Sequence, residues 1–290
     1  MKKILITGAN SYIGTSLQEY LADFPDKYEV DVIDMVGDSW KEKDFSCYDA
    51  VYHVAGIAHA DNGRIKKERE ELYYSVNTRL AIETAKKAKE EGVKQFIFMS
   101  SALVYGKSAR IGKTKKITKE TPVNPSNCYG NSKVLAENGL RELDSEDFKV
   151  VVLRCPMIYG KGSKGNYQTL VKLAKKFSFF PYVKNQRSML YVGNLVEFVR
   201  LVIDNQERGT FWPQNAEYSN TSEMVRVIGH TYGKSIKLIK GFGWALKIMG
   251  LFVGIVNKAF GNLTYDMEIS EYKENYRVKN LTESIIETKN

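Results

Sequence analysis

The chain has 290 residues, of which 43% are hydrophobic and 12% aromatic, and it carries 43 Lys and Arg against 34 Asp and Glu. This length predicts one or two domains, and the apolar fraction is ample for a large buried core, which excludes an intrinsically disordered chain. The apolar run after Lys3 is only one strand long, so no secretory leader is expected. The three cysteines lack metal-ligand spacing, and we expect a cytoplasmic protein with free thiols and no metal site.

The net charge of +9 raises the question of an anionic partner. Part of the excess lies in one polar stretch that has no aromatic residue, which argues against a surface that stacks nucleic-acid bases. The stretch is either a solvated loop or a cationic collar for a diphosphate substrate, and nucleic acid is not an expected partner. Its cations are Lys107, Arg110, Lys113, Lys115, Lys116 and Lys119.

The N-terminus predicts a strand, a tight turn and a helix. Lys3 to Thr7 is rich in β-forming residues, and a turn with two glycines follows before apolar residues recur at helical spacing. Such a turn lets the backbone approach a pyrophosphate, while the helix N-terminus supplies N–H donors and a partial positive charge. The position between the glycines where a third is common holds a serine. The residues expected to hold a dinucleotide here are Gly8, Asn10, Ser11, Tyr12, Ile13 and Gly14.

A second predicted strand, Glu29 to Asp34, ends on an acid that lies 20 positions beyond Gly14. A carboxylate at this spacing can accept hydrogen bonds from an adenosine ribose and repels a 2′-phosphate, so it favours NAD over NADP. The alternative is that Asp34 simply forms the turn at the end of the strand.

Strand and helix patterns continue to alternate as far as residue 160. Further strands are predicted at Ala50–His53, Gln95–Met99 and Val150–Arg154, and helices at about 70–91 and from Tyr129 onward. This order predicts an α/β fold with a Rossmann-like, doubly wound parallel sheet, whose ligands bind at the carboxyl ends of the strands. The residues predicted at those ends are Gly8, Asp34, Gly56, Ser101 and Arg154.

Beyond residue 160 the alternation weakens. We therefore divide the chain into an NAD-binding domain at 1–160 and a mainly substrate-binding region at 161–290, from which segments can return to the first domain. A helix is expected near Tyr167–Lys176, and Asn194 is expected to cap a helix that reaches Asp204. Phe242–Phe260 is the most apolar stretch, but its longest uncharged run is too short to span a bilayer. It predicts a packed helix, a dimer surface or a segment that rests on a membrane.

Tyr129 and Lys133 stand four residues apart on one predicted helix face, where a phenol and an ammonium can share a proton. A free tyrosine titrates near about 10, so it is a poor base at neutral pH unless a nearby cation favours the phenolate. Lys133 is the candidate cation. Taken alone, the pattern more often marks two surface residues of an ordinary helix.

Four ordered motifs, Thr7–Gly14, His53–Gly56, Met99–Gly106 and Tyr129–Lys133, give the chain a wider resemblance. Together they resemble the extended short-chain dehydrogenases/reductases, and within that group the NAD-dependent nucleotide-sugar epimerases and dehydratases. The resemblance covers nearly the whole chain. It implies a nucleotide-sugar substrate, UDP-linked by family expectation, a role in polysaccharide precursor synthesis, and an assembly compatible with a homodimer.

The resemblance also implies roles for single residues. Ser101 would hydrogen-bond the sugar oxygen that is oxidised or reduced, Tyr129 would exchange its proton, and Lys133 would hold the nicotinamide ribose and lower the pKa of the tyrosine. Arg187 would meet the substrate diphosphate, for which a forked guanidinium is suited, and Asn166 would also contact substrate. His53 is expected to be structural. The remaining residues of the implied cofactor pocket are Asp44, Phe45, Val54, Ala55, Gly56 and Asn77.

Two departures from the family pattern bear on the reaction and the fold. Ala102 and Leu103 occupy the positions where 4,6-dehydratases of this family carry an acid, so dehydration is disfavoured. Reversible oxidation at the sugar C4 with inversion and one-way reduction of a 4-keto sugar remain; Asp34 tilts the choice toward a UDP-sugar 4-epimerase. A dinucleotide-sensing protein without catalysis is a third alternative. The short connection from Asp34 to Asp44 implies a truncated third strand.

Overall fold

The computed structural model describes residues 1–57, 66–243 and 259–289. The chain divides into two compact units, each assembled from three segments. Unit 1 comprises Met1–Gly106, Pro122–Cys155 and Val196–Trp212, and unit 2 comprises Lys107–Thr121, Pro156–Leu195 and Pro213–Asn290. These units differ from a single division at residue 160, because 107–121 and 156–160 lie in unit 2 and 196–212 returns to unit 1.

Unit 1 is built around a six-stranded sheet in which every neighbouring pair of strands is parallel. A parallel sheet needs crossover connections, which the helices between the strands supply. The predicted Rossmann-like α/β fold is therefore confirmed. In the order in which they pair, the strands are β2 (Tyr28–Ile33), β1 (Lys2–Thr7), β3 (Ala50–His53), β4 (Gln95–Ser101), β6 (Lys149–Cys155) and β10 (Gly209–Phe211).

The connection between β2 and β3 contains a 3-10 helix at Ser39–Glu42 and no strand, over residues that the structure describes without a gap. The strand that was expected in shortened form between β2 and β3 is therefore absent from this connection, and β2 forms one edge of the sheet. The central strands are buried on both faces and read as continuous apolar runs, as in Phe96–Phe98 of β4.

Two helices of unit 1, one after the turn that follows β1 and one that carries Tyr129, begin at side-chain caps. The side chain of Ser11 accepts a hydrogen bond from the Gly14 N–H, and that of Asn127 accepts one from the Gly130 N–H. These bonds satisfy donors that the first turn of a helix leaves free. The helices are α1 (Tyr12–Leu21), α2 (Lys67–Tyr74), α3 (Leu80–Glu90), α4 (Cys128–Arg141) and α6 (Val192–Asp204).

Two helix predictions need correction. The single helix expected at about 70–91 is split, because a π-helical turn at Ser75–Arg79 joins α2 to α3. The expected cap at Asn194 is wrong, since α6 begins at Val192 and places Asn194 inside its first turn. The Asn194 side chain is fully buried and instead donates to the Asn215 Oδ1 atom and to the backbone carbonyl of Lys279.

In its described residues, unit 2 has three short parallel strand pairs and its own core, in which Tyr159, Tyr167 and Phe180 pack with apolar residues of its helices. Of the apolar stretch Phe242–Phe260, residues 244–258 lie outside the described residues. Within the described part of the chain, no helix is long and apolar enough to cross a bilayer. The elements are β5 (Lys116–Ile117), β7 (Met157–Tyr159), α5 (Asn166–Lys176), β8 (Phe179–Pro181), β9 (Met189–Tyr191), α7 (Thr221–Thr231), β11 (Lys237–Ile239), β12 (Thr264–Tyr265) and α8 (Leu281–Glu287).

The turn after β1 predicts the effect of a single substitution. Gly8 has a φ of +94°, and a Cβ atom at this position would stand 2.9 Å from the backbone N and Cα atoms of Ala55. We expect Gly8→Ala to lower the free energy of unfolding by about 2 to 4 kcal/mol, because backbone strain and a clash with backbone add. Gly37→Ala is the matched control, since its φ of +75° carries similar strain but nothing lies within 4 Å of the new methyl. Chemical denaturation of both variants measures the free energy of unfolding. Equal losses would contradict a clash between the new methyl group at position 8 and the backbone of Ala55.

Candidate active site

The parallel register places the carboxyl ends of the central strands at one edge of the sheet. Thr7 at the end of β1 pairs with Ile33 of β2 and with His53 of β3, and His53 pairs with Phe98 of β4. The residues that follow these strands therefore converge at one edge, as the sequence predicts. This is the edge at which α/β sheets bind their ligands.

The turn after β1 has the shape that a dinucleotide pyrophosphate needs. Gly8 lies against Ala55, and Asn10 also adopts a positive φ of 60°, so the chain reverses tightly before α1. A Cβ at Gly14 would stand 2.6 Å from the Ser11 Oγ atom and 3.0 Å from Ile6, so the glycine lets α1 approach β1 closely. Tyr12 and Ile13 form the first helical positions, where backbone N–H groups face outward. These features fit a bound dinucleotide.

The acid after β2 is exposed and already makes one turn contact. The Asp34 Oδ1 atom accepts a hydrogen bond of 3.1 Å from the Val36 N–H. This bond is the one expected if Asp34 forms the turn, which was the alternative to binding an adenosine ribose. Nearby, the Ser46 hydroxyl and the Ser46 N–H, which donates to the Asp44 Oδ1 atom, lower the pKa of Asp44. Phe45 is fully buried in the core. Asp34 and Asp44 thus present carboxylates at the surface, whereas Phe45 contributes packing.

The segment after β3 meets the π-helical turn that joins α2 to α3. Asn77, fully buried on that turn, accepts a bond of 2.8 Å from the Ile57 N–H and donates to the Ser132 Oγ atom at 3.2 Å. A Cβ on Gly56 would stand 3.0 Å from the Asn77 Oδ1 atom and 3.5 Å from the Lys133 Nζ atom. Because Gly56 has no side chain, its backbone can lie close to an amide and an ammonium, and these groups suit the hydroxyls of a nicotinamide ribose.

Tyr129 lies in the first turn of α4 with 7% of its surface exposed. Burial raises the pKa of Tyr129 to about 12, and a hydrogen bond with Ser101 acts in the opposite direction. The Ser101 Oγ atom also accepts a bond from the Leu103 N–H, which starts the 3-10 helix Ala102–Tyr105. A phenol and a hydroxyl thus lie near each other at the carboxyl end of β4.

Lys133 is 5% exposed, and its ammonium donates to the backbone carbonyl of Met99 at 2.8 Å and lies 4.4 Å from the centre of the Phe98 ring. Burial lowers the pKa of Lys133 to about 7, and the Glu137 carboxylate partly opposes this. The expectation that Lys133 lowers the pKa of Tyr129 is not met in this structure. The ammonium is directed to the strand carbonyl, and the raised pKa of Tyr129 reflects burial instead.

His53 is structural, as expected. Its Nδ1 atom shares a hydrogen bond of 2.9 Å with the Thr7 hydroxyl, and its ring stacks on Phe96 and Phe98. Complete burial lowers its pKa to about 3, so the imidazole is neutral at physiological pH. A neutral ring close to Lys133 adds no second positive charge to the site.

A buried carboxylate on α4 organises the surroundings of the site. Glu137 is fully buried, one turn beyond Lys133, and its Oε1 atom accepts a bond of 2.6 Å from the Ser100 hydroxyl. The Arg154 guanidinium binds both carboxylate oxygens, with the closest approach of 2.6 Å at Oε2, and Arg141 reaches Oε2 from the surface at 2.9 Å. Each charge of the buried pair therefore has a partner, as burial requires.

The same network continues to the segment that follows Ser101. Arg154 also donates to the Tyr105 hydroxyl at 2.7 Å, and the Trp212 Nε1–H donates to the same oxygen at 2.7 Å. Ser100 precedes Ser101 on β4 and pairs with Arg154 of β6. Through these bonds Glu137 links the helix that carries Tyr129 and Lys133 to Ser100, directly before Ser101, and through Arg154 to Tyr105, which follows Ser101 in the chain.

The sequence analysis placed Arg154 at the strand ends but missed Glu137. One signal was available, since Tyr129, Lys133 and Glu137 recur every four residues and an acid on an otherwise buried helix face needs a cation nearby. The choice of Arg154 as that cation depends on the pairing of β4 with β6, which helical spacing cannot show.

The two candidate substrate residues of unit 2 have different surroundings. Asn166 is exposed at the start of α5. Arg187 bonds through its backbone to Ser219, and its Nη1 atom donates to the Ala259 carbonyl at 3.3 Å. Burial lowers the pKa of Arg187. In the basic stretch, Lys116 forms an ion pair with Asp266 at 2.6 Å, so that cation is partly neutralised.

Comparisons with known proteins agree with this geometry. The sequence model of the NAD dependent epimerase/dehydratase family matches residues 4–212. A UDP-glucose 4-epimerase from Vibrio cholerae is 31% identical, over 94% of this chain and 89% of its own length. An N-acetyl-α-D-glucosaminyl-diphospho-ditrans,octacis-undecaprenol 4-epimerase from Escherichia coli O157:H7 is 30% identical, over 71% of this chain and 64% of its own.

Among solved structures, the UDP-glucuronic acid 4-epimerase of Bacillus cereus, in complex with NAD, superposes with a TM-score of 0.73 at 18% identity, over 98% of this chain and 96% of its own. The dTDP-4-dehydrorhamnose reductase of Bacillus anthracis, in complex with NADP, gives a TM-score of 0.65 at 22% identity, over 83% of this chain and 84% of its own. At these identities the two structures support the fold alone.

The buried ion pair predicts unequal effects for its two arginines. We expect Arg154→Leu to lower the free energy of unfolding by about 3 to 5 kcal/mol, because it removes the main partner of a buried carboxylate. Arg141→Gln, which removes the exposed arginine from the same carboxylate, should cost less than about 1 kcal/mol. Urea denaturation of both variants measures the difference. Losses of similar size would show that Glu137 does not depend on Arg154.

Proposed function

Because this chain belongs to the NAD-dependent epimerase/dehydratase family, we propose that it is a nucleotide-sugar 4-epimerase that acts on a UDP-linked hexose or N-acetylhexosamine. The observation that carries the proposal is that the Ser101 hydroxyl lies near the Tyr129 phenol at the carboxyl end of β4 and lowers its pKa, with Lys133 one turn further along the same helix. Family membership confirms the resemblance read from the sequence, and with it NAD as the cofactor.

NAD, when bound, supplies the hydride acceptor and donor for the sugar C4. The residues proposed to hold NAD lie at the edge of the sheet formed by the carboxyl ends of the strands, or next to it. The turn Gly8–Gly14 would hold the pyrophosphate, Asp34 the adenosine ribose and Asp44 with Phe45 the adenine, while Val54–Gly56, Asn77 and Lys133 would surround the nicotinamide ribose. Each of these groups lies in unit 1.

The chemistry assigned to the chain itself is proton transfer at one oxygen. With a pKa of about 12, Tyr129 is protonated at neutral pH and can donate to the oxygen of a C4 ketone. In the reverse direction the C4 hydroxyl gives its proton to Tyr129 in the phenolate form, a form that the nearby Ser101 hydroxyl favours because it lowers the pKa of the phenol. The same pair can therefore serve both halves of an epimerisation.

The residues after Ser101 favour epimerisation over dehydration. Elimination of water from the sugar needs a second acid or base next to the tyrosine. Ala102 and Leu103 offer only apolar side chains at the start of the 3-10 helix. A dTDP-D-glucose 4,6-dehydratase of Dictyostelium discoideum is among the relatives, at 25% identity, but the chain lacks an acid at the positions where that chemistry would need one.

A second candidate function is reduction of a nucleotide-linked 4-keto sugar with NAD(P)H. The specific observation in its favour is the protonated state of Tyr129, which suits donation to a ketone without any return step. The retained Ser101, Tyr129 and Lys133 argue against a sensing protein without catalysis. Arg187 and Asn166 are proposed to contact the nucleotide diphosphate of the substrate in either reaction.

The proposed reaction is tested with purified protein and no added cofactor. We expect UDP-glucose or UDP-N-acetylglucosamine to be inverted at C4, with chromatography as the readout, and Tyr129→Phe to lower kcat by about 10² to 10⁴-fold because the proton carrier is lost. Tyr74→Phe is the matched control, since the Tyr74 hydroxyl only accepts a bond from Asn131. Its kcat should stay within about twofold of the wild type.

Two results would contradict the epimerase. Turnover that appears only with a 4-keto substrate and stoichiometric NADH or NADPH would favour the reductase. Unchanged turnover in Tyr129→Phe would remove Tyr129 from the chemistry altogether.

A further inference from the structure

The net positive charge of the chain comes from unit 2, since unit 1 has more acidic than basic residues. Unit 1 contains 20 Lys and Arg against 25 Asp and Glu, whereas unit 2 contains 23 against 9. Two long segments contain no acidic residue at all, namely 148–196 and 224–265. A few cations are enough to balance the charge of a diphosphate. The larger excess in unit 2 therefore indicates a larger anionic partner.

The two acid-free segments meet within unit 2. Strand β8 of the first segment pairs in parallel with strand β11 of the second, with Phe179 opposite Lys237. The side chains around this pair are exposed, and they combine lysines with large aromatic rings. We call this surface the basic aromatic patch. It consists of Lys175, Lys176, Phe177, Phe179, Lys184, Lys237, Lys240 and Phe242.

The phenylalanines of the patch are exposed to an unusual degree. Phe179 is 60% exposed, Phe242 52% and Phe177 37%. Exposed aromatic side chains grouped with cations are typical of surfaces that rest on a membrane, where rings enter the boundary of headgroups and acyl chains and lysines lie at the phosphates. A solvated loop would explain the lysines of the patch but not the rings beside them.

We propose that the basic aromatic patch docks unit 2 on the surface of an anionic lipid bilayer. The lysines of the patch are attracted to the negative charge of an anionic leaflet. Each lysine near the surface adds separately to the free energy of binding. The chain also runs from Phe242 directly into its most apolar stretch of sequence, again without an acid, and such a composition matches hydrocarbon better than a nucleic-acid backbone. The patch contains none of the residues proposed to take part in the reaction, so the inference goes beyond the proposed function.

Flotation of the full chain with lipid vesicles tests the proposal. One set of vesicles contains one part phosphatidylglycerol to two parts phosphatidylcholine, and the other contains phosphatidylcholine alone. We expect the protein to float with the anionic vesicles only, and added salt to weaken this binding. Binding to neither set, or to both equally, would overturn the proposal.

Two variants separate the rings from the charges. Phe177→Ser with Phe179→Ser should weaken vesicle binding at least about tenfold, because two inserted rings are lost. Lys176→Gln with Lys237→Gln and Lys240→Gln should weaken it about a hundredfold, since each lysine contributes independently. The matched control, Lys27→Gln with Lys86→Gln and Lys94→Gln, removes three exposed lysines from unit 1 and should bind like the wild type.

The remaining outcomes are also decisive. Losses as large in the control as in the patch variants would mean that net charge alone drives the binding, and the patch would be rejected. Preference for a DNA duplex over the anionic vesicles would assign the patch to nucleic acid instead. Turnover of a soluble nucleotide sugar should be the same in all variants, so a failure of docking is distinguishable from a failure of the proposed reaction.

Discussion

The buried Glu137 carboxylate is the interaction on which the arrangement of the candidate active site depends. It lies on α4, one turn beyond Lys133, and binds Arg154 of β6 and Ser100 of β4. A buried charge is costly unless it is paired, so helix and strands are held in the one arrangement that satisfies it. The positions of Ser101 and Tyr129 relative to each other follow from that pairing, although neither residue contacts Glu137 in the network.

The fold supplies the other half of the site through a simpler constraint. Parallel strands carry their carboxyl ends to one edge, which brings together the glycine turn after β1, Asp34 after β2 and the bare backbone after β3. Helix α4 then adds the groups that can move a proton. Both of these groups, Tyr129 and Lys133, are buried. Burial raises the pKa of Tyr129 to about 12 and lowers that of Lys133 to about 7.

Local sequence patterns were sufficient for five of the six strands of the main sheet, the glycine turn and the helix that carries Tyr129 and Lys133, because their signals lie within a few residues. They failed where the outcome depends on distant partners. The π-helical turn at Ser75–Arg79 positions Asn77 against Ile57 and Ser132, and the burial of Asn194 inside α6 depends on Asn215. The direction of the Lys133 ammonium toward Met99 likewise depends on how α4 packs on β4.

In the proposed epimerisation, hydride leaves and returns to the same sugar carbon while Tyr129 moves one proton. A UDP-hexose labelled with deuterium at C4, incubated without added cofactor and followed by mass spectrometry of the product, examines this step. We expect the inverted sugar to keep its deuterium at C4 and to exchange none with water. Product in which C4 carries hydrogen from the medium or from added NADH would contradict it.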